Sequence, residues 1–231
     1  MKWPELEGAG FRIRGMRVWL AIAFLLAWCL VASRANGQDF QSWNEVDLTG
    51  SWKTIDVVVP LLARIDASGA NPQLAATGIT ADFGLPWHLT LTGGYLYAKL
   101  PRSSLDVSVP LAAVAKSFRF GRFAIADRNR FEKLIGFGDS PVRYRNRILA
   151  ERPLGTQARW RIFASDEVFF NLSARNWNQN RAQAGIGRRL SRRVFLDVFY
   201  LQRNIREGAP TTHALGTTLR IELKARLETP A

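Results

Sequence analysis

Cysteine is almost absent from this chain. Cys29 is the single one in 231 residues, and it lies inside an apolar N-terminal run. A disulfide framework and a thiolate metal site are both excluded. Histidine is nearly as scarce, with His88 and His213 alone, so a histidine-rich metal centre is excluded too. Glycine-rich phosphate loops, Cys/His clusters and paired catalytic carboxylates are missing, and nothing in the sequence calls for a cofactor. No apolar run reaches the ~20 residues that a membrane-crossing helix needs. There is no sustained helical period, no linker, no low-complexity tract and no strong internal repeat. Acidic side chains are few, 19 against 32 basic.

What is present begins with Lys2, Arg12, Arg14 and Arg17, followed by an apolar run over 18–32 and small residues at Ser33, Ala35 and Gly37. This is the order of a secretory signal peptide, read over 1–37, with cleavage after Ala35 or after Gly37 and with Met16 as an alternative start. A membrane anchor is the competing reading; the run is short for one, and Arg34 closes it. A lipoprotein signal at Cys29 is opposed by bulky Trp28 where a small residue is expected. Without this segment 27 basic residues face 17 acidic, a net charge of +10. In the cytoplasm that balance would point to nucleic acid. An exported chain meets phospholipid headgroups, lipopolysaccharide and small anions instead, and no nucleic-acid partner is expected.

From Phe40 onward the pattern is strand, turn, strand. Runs over 43–49, 55–66, 73–83, 87–98, 105–117, 122–134, 142–152, 157–170, 179–190, 194–203 and 213–224 are separated by turn residues, as in an all-β barrel or sandwich. Most are long enough for the ~9–11 residues of a transmembrane strand. Connections alternate between short ones, at Gly84–Pro86, Phe120–Gly121, Gly155 and Ser191–Arg192, and longer polar ones, at 67–72, 99–104, 135–141, 173–178 and 204–212. Outer-membrane barrels alternate in this way, with the short turns in the periplasm. The fold class predicted is one up-and-down antiparallel transmembrane β-barrel of 10–12 strands. Bacterial single-chain barrels have an even number, so the eleven runs reduce to ten if 38–53 holds only a short strand, or rise to twelve with one more. The barrel is then 54–224, and 225–231 is a tail.

The centre of this pattern is charged. Arg128, Arg130 and Glu132 share a strand face; so do Arg143, Arg145, Arg147 and Glu151, and so do Arg159, Arg161 and Glu167, with Arg181 further on. Side chains two apart point the same way. The alternate positions (Ile125, Phe131, Tyr144, Ile148, Ala150, Trp160, Ile162, Val168) are apolar or aromatic. A membrane barrel turns its charges to the lumen and its apolar row to lipid. These eleven charged residues are the predicted lumen network. Asp127 and Asp166 fall on the lipid row, which calls for a local β-bulge or a position near headgroups. A three-residue hairpin Leu154–Thr156 centred on Gly155 would set Glu151 opposite Arg159, Arg145 opposite Ser165 and Arg143 opposite Glu167. The aromatics Trp43, Trp52, Trp87, Tyr95, Tyr97, Trp160, Trp177 and Tyr200 read as interfacial girdles.

The runs Arg128-Asn129-Arg130-Phe131-Glu132, Tyr144-Arg145-Asn146-Arg147, Asp166-Glu167-Val168-Phe169-Phe170-Asn171 and Asn178-Gln179-Asn180-Arg181, with Gly185-Ile186-Gly187-Arg188-Arg189-Leu190-Ser191, resemble the motifs of domain of unknown function 2490. The resemblance runs from Trp43 to Leu223 and implies a barrel in the bacterial outer membrane, with lipopolysaccharide around it and the barrel-assembly machinery as its partner during insertion. It implies no activity. One departure is at the end: many such barrels finish on an aromatic residue, whereas here Leu219, Ile221 and Leu223 lead into a tail.

Catalysis is not expected. Barrel lipid hydrolases set a histidine and a serine two apart on one face so that the imidazole can deprotonate the hydroxyl. His88 is followed at that spacing by Thr90 and His213 by Leu215. The predicted function is a structural barrel, or a narrow pore that attracts small anions; a soluble periplasmic β-barrel carrier is the alternative from another class. The signal reading predicts that the exported protein begins at Asn36 or Gln38. Intact-mass measurement checks this, and a mature species that keeps residues 18–32 contradicts it.

Overall fold

A computed structural model describes residues 40–66, 71–155, 159–206 and 210–223. The predicted signal segment, the C-terminal tail and Thr156 of the predicted hairpin lie outside them. The strands are β1 (Phe40–Trp52), β2 (Ile55–Asp66), β3 (Pro72–Leu85), β4 (Leu89–Leu100), β5 (Leu105–Phe120), β6 (Phe123–Lys133), β7 (Val142–Leu154), β8 (Trp160–Asn171), β9 (Asn176–Arg189), β10 (Val194–Ile205) and β11 (Thr212–Glu222). Each pairs with the next, and β1 closes on β11, so the eleven strands form one closed barrel. No helix among the described residues is long and apolar enough to cross a membrane, which says nothing of strands.

The strand number corrects the even-number expectation. The N-terminal run is a full strand, Phe40–Trp52, and it supplies the closure. A meander of eleven strands brings its first and last into the same direction, so β1 and β11 pair in parallel, from Phe40 opposite His213 to Thr49 opposite Glu222. Parallel pairing is slightly weaker per residue. Across this seam the Thr217 hydroxyl donates to Asn44 Oδ1 at 2.7 Å. Trp87 and His88, read as strand, lie in a turn with left-handed φ of +60° and +58°.

The β7–β8 hairpin departs from its predicted register. The connection is longer than three residues, and β8 begins at Trp160. Arg143 faces Asn171, Arg145 faces Phe169, Arg147 faces Glu167 and Glu151 faces Phe163. The added loop residues slide β8 by whole pleat repeats, so the side chains keep their faces and change their partners.

The two faces of the wall follow from alternation. Outward positions carry Val57, Leu61, Ile79, Leu91, Tyr95, Val114, Phe118, Phe131, Ile148, Ile162 and Ile186, all well exposed. Asp127 and Asp166 also face outward, and no bulge turns them. The ladders of β6 run through Asp127 unshifted, as does the β7–β8 ladder through Asp166; the irregularity in β8–β9 comes later, at Phe169/Phe170. Their carboxylates are held by neighbours instead: Asn146 donates to Asp127 at 2.6 Å and Asn180 to Asp166 at 2.8 Å.

Inside, the wall is uneven. β3–β5 present apolar side chains, Leu74, Ala76, Leu96, Leu100 and Leu105, around buried Ala98, Val107 and Val109. Across the bore, Trp43, Phe163, Phe199, Leu201 and Ala214 pack together. Glycine makes this possible: a Cβ at Gly216 would strike the Phe199 ring, and one at Gly185 would strike Phe163 and Phe199. Gly216→Val is therefore expected to destabilise the barrel by about 1–3 kcal/mol through overpacking, read as a lower midpoint in urea unfolding.

Candidate functional site: the arginine-lined lumen

Ten of the eleven predicted network residues belong to strands whose register turns them inward, and they gather in two tiers. Arg159 is the exception: it precedes β8 in the connection from Gly155.

The upper tier lies toward the end that carries the 134–141 connection. Glu132 is 2 % exposed. Its Oε1 is ion-paired with Arg130 at 2.7 Å and accepts from Arg145 at 2.6 Å, and its Oε2 is paired with Arg143. Glu167, 6 % exposed, meets Arg145 at 2.8 Å, Arg128 at 3.1 Å and Arg181 at 3.7 Å. Arg145 bridges the two acids. Arg147, placed opposite Glu167 in the ladder, makes no ion pair among the described residues, and its buried Nε has no partner.

Rings back the guanidinium groups, both those paired with an acid and Arg64 and Arg203, which make no ion pair among the described residues. Phe169 is fully buried and lies under Arg143, Arg145 and Arg181, whose Cζ atoms are 5.3, 4.7 and 4.5 Å from its centroid. Trp43 takes Arg64 at 3.8 Å, Arg181 at 5.0 Å and Arg203 at 5.9 Å. A ring face attracts a cation within about 6 Å. Trp43 is therefore a lumen residue and leaves the predicted girdle.

The lower tier lies toward the short turn Gly121–Arg122. Arg161 is paired with Glu151 and reaches Asp197 at 2.6 Å, and Arg220 reaches the same Asp197 oxygen at 2.7 Å. Gly187 leaves the space for this, because a Cβ there would meet Asp197 and Arg161. Between the tiers stand Phe163 and Phe199.

Sequence reasoning missed Arg64, Asp197, Arg203 and Arg220. The inward row of β10 is Phe195, Asp197, Phe199, Leu201 and Arg203, so apolar residues and charges share one face and the alternation that marks β6–β8 is blurred. Arg64 carried a signal, since it shares the non-lipid face of β2 with Asp56. Among the described residues no group of His, Cys, Asp and Glu could hold a metal ion. His213 Nδ1 lies 2.6 Å from the Tyr200 hydroxyl on the outer wall.

Removing one partner of a buried ionic cluster leaves an uncompensated charge. Glu167→Gln is expected to cost about 3 kcal/mol, and Arg181→Met added to it should recover part of the loss. Glu151→Gln, whose carboxylate side chain is 33 % exposed, should cost less than about 1 kcal/mol. Urea unfolding of the variants in detergent measures all of these.

Comparison with known proteins adds the following. No curated protein matches the chain. Among solved structures, OmpTdeltaL8, a loop L8 deletion mutant of OmpT, an outer membrane protein of Vibrio cholerae, is similar at 10 % identity with a TM-score of 0.39, covering 71 % of this chain and 61 % of that one. OmpT of Vibrio cholerae expressed in the outer membrane is similar at 11 % and 0.37, covering 65 % and 54 %. This chain thus matches less than two thirds of the length of either. A family model matches residues 40–214, most of the described barrel, and the chain belongs to that family, described as Protein of unknown function (DUF2490).

Proposed function

We propose that this chain is an outer-membrane β-barrel with a filled, arginine-rich lumen, a structural rather than a conducting or catalytic element of the bacterial envelope. The observation that carries the reading is the inversion of the wall, with charge inside and apolar side chains outside. Buried Glu132, Glu167 and Asp197 sit in the bore, while exposed Leu61, Ile79, Leu91, Val114, Ile148 and Ile162 ring the exterior. Soluble monomers rarely expose contiguous apolar patches beyond a few hundred Å², whereas lipid requires such a surface. Exposed aromatics cluster near both ends, Trp52, Trp87, Phe120 and Phe123 at one and Tyr97, Phe131, Phe137 and Trp177 at the other, where interfacial girdles belong.

Filling favours closure. Trp43, Phe163, Phe169 and Phe199 are all under 10 % exposed, and barrels near this strand number lie closer to the filled eight-stranded kind than to wide porins. Lipopolysaccharide and phospholipid are the surrounding partners, the barrel-assembly machinery the partner in insertion, and small anions the ions that the lumen would admit. On this reading the C-terminal end of β11 faces the periplasm. Tyr200 and His213 form a hydroxyl–imidazole pair on the outer wall, with no carboxylate bonded to that imidazole among the described residues.

A soluble periplasmic carrier is the second reading, favoured by the outward polar network of Asp127, Asn129, Tyr144 and Asn146. Fractionation separates the two: the membrane reading expects extraction from outer membranes by detergent only, and recovery in the supernatant after lysis and ultracentrifugation would overturn it. In planar bilayers the wild type is expected to show no conductance steps. Trp43→Ala with Phe169→Ala should open a small path, and arginine left in its wall makes that path anion-selective. Stable steps from the wild type would refute the filled lumen.

A further inference from the structure

Below the lower tier the barrel opens into a basin of about 590 Å³, lined from Thr49 on β1 to Glu222 on β11. Seven of its lining residues are arginine and three are acidic. Arg161 and Arg220 form the floor, and both are held by Asp197. Above them stand Phe163 and Phe199, so the basin is a blind end rather than a vestibule. At the rim, Arg119, Arg122, Arg159 and Arg189 are exposed and make no ion pair among the described residues.

We propose that this basin binds a phosphate-bearing anion of at least two negative charges. Arginine stays charged in proteins, so four acid-free guanidinium groups around one concavity repel each other until an anion enters. A concave, low-dielectric wall of one sign focuses the field on its contents. The planar fork of arginine matches the oxygens of phosphate bidentately. The volume falls within the range of about 300–1,000 Å³ for small-molecule sites. Asp197 adds preorganisation, because it fixes two cations in the floor before any ligand arrives. A phosphate of this kind comes either from a soluble polyphosphorylated solute or from a lipid headgroup at the periplasmic face.

This assignment rests on the closed-barrel reading for its blind floor. The test is calorimetric titration of the full, detergent-solubilised protein with inorganic pyrophosphate. One saturable site is expected. Arg119→Gln with Arg189→Gln should weaken it about tenfold or more, on the scale of a lost charge-assisted contact. Arg175→Gln with Arg206→Gln removes the same charge at the opposite end and should leave binding unchanged. Phosphatidic acid in nanodiscs then separates the sources: displacement of pyrophosphate assigns the site to lipid headgroups, and failure to displace it assigns the site to a soluble phosphate. No saturable binding at about 1 mM pyrophosphate, or equal loss in both variant pairs, overturns the proposal. Absent binding together with silent bilayers removes this inference alone, whereas wild-type conductance removes the filled lumen.

Discussion

Sharing of two buried carboxylates among several arginines is the interaction on which the inside of this barrel depends. Glu132 and Glu167 are out of water, and an ion moved there costs several kcal/mol unless its neighbours repay it. Repayment here comes from three cations on each acid, with Arg145 common to both. The groups come from β6, β7, β8 and β9, so the cluster ties four consecutive strands at one height. Phe169 lies under the paired Arg145 and Arg181, and Trp43 gives a ring face to Arg64 and Arg203, which have no acid among the described residues. Charge and aromatic packing are therefore one structure in this lumen.

The odd strand number has its own consequences. Closing eleven strands requires a parallel seam, and the seam draws its first strand from a run that looks too short when read alone. Trp43 enters the bore from that strand. It packs with Phe199 and Ala214 from β10 and β11, so the closing strands and the apolar cluster in the bore share residues. The glycines at 185, 187 and 216 are placed by the same need: large side chains opposite them use the volume that a Cβ would take.

Much of this was legible along the chain. The runs over 55–66 and 142–152 coincide closely with β2 and β7, because their alternation is unbroken and each is bounded by turn residues. That Arg128, Arg130 and Glu132, and likewise Arg143, Arg145 and Arg147, share one face of their strand follows from period two alone. Register was not legible. Glu167 was expected opposite Arg143 and stands opposite Arg147, since alternation is preserved by any even slip and only the loop length settles which slip occurs. Of the two readings for Asp127 and Asp166, a bulge or a place near headgroups, no bulge occurs, and amides on neighbouring strands bond both carboxylates.

By itself the sequence determined the all-β class, the long strands, and which side of β6, β7 and β8 carries charge, because side-chain direction in a strand is a local property. Tertiary structure alone decided that eleven strands close through one parallel pair, that Arg64, Asp197, Arg203 and Arg220 join the lumen, that Trp43 leaves the girdle, and that seven arginines line one basin at the end of the barrel. Those facts depend on distances between residues far apart in the chain, and a period of two carries no information about which strand lies across the bore.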